Sequence, residues 1–411
     1  MNELEQADDV AGVTLDDVRA ARELLRGVIL DTPVQGSRPL AERVGGPVWL
    51  KCENLQRAGS FKIRGAYTRL SRLAPDEAAR GVVAASAGNH AQGVALAASL
   101  LGIRTTVFMP EGAPIPKVEA TRAYGADVRF HGHSVDEALV AAKAFSEQTG
   151  AVFVHPFDHH DIVAGAGTTG LEILEQVPDV RTIVVCTGGG GLLAGIAVAV
   201  KALRPDVRVI GVQAEDAAAY PGSLAAGKPV ALSAMTTMAD GIAVGCPGPL
   251  PFGIVRDLVD GVVTVSEESL SRALLLCLER AKLVVEPAGA AGVAALLNDP
   301  ASFEPPVVVV LSGGNIDPLL LQRVLRHGLA VAGRFLSFRA RISDRPGALV
   351  RLLAEVAAAD ASVLEVEHVR TDPRLRVDEV EVALQLETRG AEHCDAVLAR
   401  LREAGYTLVF G

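Results

Sequence analysis

The chain has 411 residues, 49% of them hydrophobic, which is long for a single core and points to two or three domains. Its 39 basic residues are outnumbered by 49 acidic ones, a net charge of −10 with no run of five Lys or Arg, which excludes a basic footprint for nucleic acid or for an anionic membrane. Five scattered cysteines (Cys52, Cys186, Cys246, Cys277, Cys394) form no CxxC, and the acidic residues 1–9 lack the order of a signal peptide, so a reducing cytoplasm is the expected compartment.

From residue 82 onward, short β-branched runs alternate with longer amphipathic ones, the pattern of parallel α/β architecture. Strands are expected at 82–85, 105–109, 127–130 and 151–154, with helices at 91–101, 117–124 and 135–148 between them. Four further strands are expected at 182–186, 207–212, 262–265 and 307–311. All are brief, apolar and without two-residue alternation, as strands buried on both faces are. Residues 182–200 carry no charge and approach the length of a membrane span. Four successive glycines lie inside, each costing about 1 kcal/mol in a helix, so a strand, a glycine turn and a helix is the expected arrangement.

The rhythm changes near residue 330. Residues 327–334 have linker character, and the remainder reads βαββαβ: strand 335–342, helix 347–359, strands 363–370 and 379–386, helix 394–404, strand 407–410. This is the split βαβ, ferredoxin-like order. Clean alternation over 379–384 predicts a sheet with one wet face. Ser343 or Asp344 is the expected N-cap of the first helix of this segment.

Gly188-Gly189-Gly190-Gly191-Leu192 falls directly after one expected strand and directly before a helix. Glycines there let backbone N–H groups approach a phosphate, and the helix N-terminus adds a favourable dipole. A plain tight turn is one alternative. Another is a dinucleotide site serving an NAD-dependent oxidoreductase, because residues 189–194 satisfy GxGxxG/A and Glu215 follows at a suitable distance.

Ser60-Phe61-Lys62-Ile63-Arg64-Gly65 is preceded by Lys51-Cys52-Glu53-Asn54 and followed by Ser86-Ala87-Gly88-Asn89-His90. The glycine loop, Glu286-Pro287-Ala288-Gly289 and Ser312-Gly313-Gly314-Asn315 come next in order. Over residues 14–326 this set resembles the threonine dehydratases among the fold-type II pyridoxal-phosphate enzymes, the tryptophan-synthase β-like group. The resemblance implies an α/β catalytic domain at 1–326 with two parallel-sheet subdomains, the smaller (about 53–153) inserted in the larger. It also implies β-elimination converting L-threonine to 2-oxobutanoate and ammonia, with L-serine going to pyruvate.

By the same resemblance, Lys62 carries the cofactor as an imine and then serves as the base at Cα. A lysine in that role needs a neutral amine, which burial favours. Phe61 packs on the cofactor face, Asn89 bonds the ring's phenolic oxygen, and Gly188, Gly189, Gly190, Gly191 and Leu192 hold the phosphate. Gly241 and Glu286 border the ring, and Ser312 faces its nitrogen with a hydroxyl that cannot stabilise a protonated ring as a carboxylate would. Ser86, Ala87, Gly88, Asn89 and His90 receive the substrate carboxylate. Related serine racemases carry a second serine where this chain has Ala87, and a metal-ligating glutamate where it has Gln213. The lyase is therefore the expectation, a serine dehydratase or racemase the alternative, and no metal is expected. The pairs His131/His133 and His159/His160 lack a matching third ligand.

Residues 335–411, with Arg345-Pro346-Gly347-Ala348-Leu349 after the first strand, resemble an ACT domain. That resemblance implies allosteric control by a branched-chain amino acid, or an oligomerisation role alone, and assembly as a homodimer or homotetramer.

Overall fold

The apolar runs of the first three hundred residues build two sheets. In the computed structural model, which describes residues 12–370 and 375–410, the chain forms two units that part between Pro318 and Leu319. The acidic start lies outside the described residues. The first unit contains β1 (Val34–Gly36), β2 (Val48–Lys51), β3 (Val82–Ala85), β4 (Thr105–Met109), β5 (Asp127–Phe130), β6 (Val152–Phe153), β7 (Thr182–Cys186), β8 (Arg208–Ala214), β9 (Gly261–Val265) and β10 (Val307–Val310). They pair as a six-stranded sheet in the order β1-β2-β10-β7-β8-β9 and a four-stranded sheet in the order β5-β4-β3-β6. The smaller sheet is parallel throughout. The larger is parallel except at its edge, where β1 runs against β2.

Both faces of β3, inside the smaller sheet, are covered, which is why that strand shows no alternation of polarity. Val82 and Ala84 pack with Ile63, Ala66 and Leu70 on one side, while Val83 and Ala85 pack with Ala138 and Ala142 on the other. Ile63, Ala66 and Leu70 recur at helical spacing, so the helix Lys62–Ser71 lies on the sheet with Lys62 at its first turn. Among the described residues no helix is long and apolar enough to cross a membrane; 182–200 is a strand, a glycine turn and the helix Gly191–Leu203.

The second unit contains β11 (Phe335–Ser343), β12 (Ser362–Val369), β13 (Glu379–Glu387) and β14 (Thr407–Val409) in an antiparallel sheet of order β12-β13-β11-β14. Its core joins Phe338, Val382 and Leu384 to Leu352, Val356, Val397 and Leu401 of the helices Ala348–Ala358 and Ala391–Glu403. Three expectations need correction. The N-cap of the helix Ala348–Ala358 is Gly347, not Ser343 or Asp344. Residues 327–334 are not a free linker: the helix Pro318–Val331 runs through their first half, with Val324 and Gly328, four apart, as buried positions. The wet face of β13 is also partly covered, since Glu381 is only 2% exposed beneath Arg339 and Arg341, whose long side chains lie over the strand.

Candidate active site

Strands β7 and β10 are parallel neighbours, so the segments that follow them, 187–191 and 311–315, leave the sheet at the same end. That end is where open α/β sheets receive ligands. Residues 86–90 leave the corresponding end of β3 in the smaller sheet. Phe61 N donates to Ser312 O at 3.1 Å, and Ser60 bridges Gly313, so the lysine segment is tied to the end of β10.

Lys62 is half-buried, with Nζ donating to Pro156 O at 2.9 Å and lying 5.1 Å from the centre of the Phe61 ring. Burial lowers its ammonium to about 8, against the opposing influence of Cys186 and Glu286. A substantial fraction of the amine is therefore neutral near physiological pH, the form a nucleophile or a base requires.

Asn89 opens the helix Asn89–Leu101. Its Nδ2 donates to Glu286 Oε1 at 2.6 Å, and its Oδ1 accepts from Asn315 Nδ2 at 2.9 Å. Glu286 N in turn donates to Gly313 O at 3.0 Å. Burial, reinforced by Asp240, raises the Glu286 carboxyl to about 7. A Cβ on Gly241 would stand 3.5 Å from Glu286 Oε1, so Gly241 belongs to the same cluster. Ser312 Oγ accepts from Cys186 Sγ at 3.0 Å, and burial pushes that thiol up to about 11, leaving the pair uncharged. Ser86 Oγ accepts from Gly88 N at 3.1 Å. His90 is turned away from this loop: its Nε2 pairs with Val154 O at 2.9 Å, and burial lowers the imidazole to about 3, so its contribution to an anion is the backbone N–H.

The glycine loop meets Lys62 through one short segment. Pro156 supplies the carbonyl that Lys62 bonds, and the next residue, Phe157, fills the space beneath the glycines. A Cβ on Gly189 would fall 2.4 Å from the Phe157 ring, and Gly190 has φ +98, a conformation that disfavours side chains. The helix Gly191–Leu203 begins without a side-chain cap, which leaves its first N–H groups for a ligand, and Leu192 is buried in its first turn. A phosphate-bearing aldehyde matches this donor set: a cradle too tight for Cβ atoms beside a partly neutral lysine.

The structure thus joins Asn89, Gly241 and Glu286 in one cluster, ties the Phe61–Lys62 segment to Ser312, and brings the glycine loop to Lys62 through Pro156 and Phe157. Cys186, Pro156, Phe157, Lys117 and Asp240 also belong to the site, and sequence reasoning missed them. The usable signals were adjacency: Cys186 stands two residues before the glycines and Asp240 directly before Gly241. Gln213 Oε1 accepts from Tyr220 N at 2.8 Å. Among the described residues no three His, Cys, Asp or Glu side chains are grouped to hold a metal ion.

This fold and site define a lysine-based cofactor enzyme of the two-sheet α/β type. The profile of the pyridoxal-phosphate dependent enzymes matches residues 25–313, and the chain belongs to that family. It is 46% identical over 394 residues to an L-threonine ammonia-lyase of Thermotoga maritima, covering 96% of this chain and 98% of that one. It is 48% identical over 390 residues to an L-threonine ammonia-lyase of Geobacter sulfurreducens, covering 95% and 97%. The crystal structure of the T.th. threonine deaminase superposes with a TM-score of 0.71 at 42% identity, covering 74% of this chain and 99% of that one.

Proposed function

We propose that this chain is a threonine ammonia-lyase that converts L-threonine to 2-oxobutanoate and ammonia, and L-serine to pyruvate. The observation that carries the reading is similarity to two ammonia-lyases over at least 95% of the chain, so that both units are shared with them. Ala87 supports it against a racemase, because a methyl group offers no proton on a second face of the substrate.

Pyridoxal phosphate, when bound, supplies the electron sink that makes the substrate Cα proton removable. Lys62 would hold it through the ε-amine, Gly188–Gly191 and the start of the helix Gly191–Leu203 would take its phosphate, and Asn89, Gly241, Glu286 and Ser312 would border its ring. The neutral Ser312–Cys186 pair brings no negative charge to the site, which favours loss of a β-hydroxyl over transamination. Lys62 Nζ is the base that takes the Cα proton, and the backbone N–H groups at 88–90 receive the substrate carboxylate. The test is ketoacid formation from L-threonine by the cofactor-loaded protein, lost in Lys62→Ala. Absence of 2-oxobutanoate from the wild type, or release of D-serine from L-serine as the main product, overturns the reading.

The second unit acts as an amino-acid sensor in this reading. A cavity of about 360 Å³ opens between the end of β11 and the helix Ala348–Ala358, lined by Asp344, Arg345, Gly347, Leu349, His368 and Arg370. Charged groups beside an apolar wall suit a free amino acid. Titration with isoleucine and valine tests it, and sedimentation tests assembly as a homodimer or homotetramer. Five unpaired thiols are consistent with a cytoplasmic setting.

A further inference from the structure

Lys117 and Asp240 tie the two sheets of the first unit together across the site. Lys117 lies in the helix Ile115–Ala123, which packs on the smaller sheet through Val118, and Asp240 immediately precedes Gly241. Nζ and Oδ2 are 2.5 Å apart. The pair is unequal: the lysine side chain is 8% exposed and the aspartate 53%. An ammonium withdrawn from water needs a counterion, whereas a half-exposed carboxylate is readily hydrated if it lets go.

Lys117 Nζ stands 3.9 Å from where a Cβ on Gly88 would lie, beside the uncapped start of the helix Asn89–Leu101. It lines a cavity of about 180 Å³ shared with Gln92, Gly314 and Asn315. The other cationic candidates placed here are spent: Lys62 holds the cofactor in the reading above, and burial keeps His90 and His155 neutral.

From this geometry we infer that Lys117 is the cation that anchors the substrate carboxylate, exchanging Asp240 for the incoming anion as its counterion. The exchange leaves the charge around Lys117 unchanged, since one carboxylate replaces another and Asp240 turns to water. The inference rests on the amino-acid substrate proposed above and adds the residue that recognises its acid group.

Two ligands separate this role from a purely structural tie. L-2-Aminobutyrate lacks the leaving hydroxyl, and (S)-2-aminobutan-1-ol also lacks the carboxylate. Their binding to the cofactor-loaded wild type, Lys117→Met, Lys117→Arg and Asp240→Asn is measured by isothermal titration. Lys117→Met is expected to weaken L-2-aminobutyrate by about 10- to 100-fold, the worth of a charge-assisted hydrogen bond, and to leave the amino alcohol unchanged. Lys117→Arg restores most of the loss. Asp240→Asn removes the competing anion and tightens L-2-aminobutyrate. Equal loss of both ligands in Lys117→Met, or weakening of L-2-aminobutyrate in Asp240→Asn, overturns the inference. The Asp240→Asn arm decides alone if Lys117→Met does not fold. Wild-type turnover of L-threonine is scored in parallel: its absence brings down the parent reading, whereas normal turnover with unaltered binding in Lys117→Met brings down only this one.

Discussion

The guanidinium of Arg64 and the carboxylate of Glu53 form a two-bonded ion pair, 2.8 Å on each arm, with neither side chain exposed. Arg64 also donates to Glu172 through Nη1 at 2.6 Å, and Lys51 Nζ lies 2.6 Å from the same carboxylate. Two cations and two anions therefore balance in the dry interior, two residues beyond Lys62 on the same helix. Removing one partner from such a set strands a buried charge and costs about 3–5 kcal/mol. Arg64→Met is expected to lower stability by that order in urea denaturation, followed through the fluorescence of Trp49, the single tryptophan. Arg64→Lys is expected to recover little, since an ammonium cannot reproduce the planar fork. An unmoved midpoint in Arg64→Met would show that the network does not hold this helix.

The Phe157 ring occupies the space that a side chain at position 189 would need. Gly189→Ala is expected to displace the ring or the loop and to weaken cofactor affinity, with an overpacking cost of about 1–3 kcal/mol. Phe157→Ala removes the obstruction, so the double variant binds the cofactor better than Gly189→Ala alone. Strictly additive losses in a double-mutant cycle, read by cofactor titration, count against the contact.

Because burial lowers the Lys62 ammonium to about 8, cofactor capture by the cofactor-free protein tracks loss of a proton at that value. The rate at which visible absorption develops after adding pyridoxal phosphate is expected to rise with pH through a midpoint near 8. A midpoint at the ordinary lysine value of 10.5 would mean that the amine is hydrated. Lys62→Ala is expected to develop no such absorption.

Glu286 gives a stability signature of defined sign. Its carboxyl titrates at about 7 when folded and near 4.5 when unfolded. Between those values the folded protein keeps a proton that the unfolded chain has released, so stability falls as pH rises through that window. In the cofactor-free protein, Glu286→Gln should therefore melt above the wild type at pH values beyond about 7, with the gap closing toward 4.5. A pH-independent difference between the two proteins contradicts the burial of an ionisable carboxyl.

The strands 82–85, 105–109, 127–130 and 182–186 were legible residue for residue. The first, second and fourth are short apolar runs buried along almost all their length, while 127–130, exposed at Asp127, Arg129 and Phe130, was marked by its place in the alternation of strand and helix. β1 and β2 were not. β1 is three residues with Gln35 at its centre and β2 ends on Lys51, so neither is an uninterrupted apolar run. The false linker arose because Gly328 and Gly333 between His327 and Arg334 break the apolar pattern, although Gly328 is a buried helix position four residues after Val324. Glu381 was misplaced because alternation assigns a face of the sheet without showing that arginines on β11 cover it.

By itself the order of residues determined the alternation of strand and helix, the βαββαβ ending and the glycine turn before a helix. These depend on backbone preferences and turn chemistry that act over a few positions. Only the tertiary structure decided which polar groups meet: Asn89 with Glu286, 197 positions apart, Lys117 with Asp240, 123 apart, and Arg64 with Glu172, 108 apart. Each of these pairings depends on which distant segments the fold brings together, which local pattern does not encode.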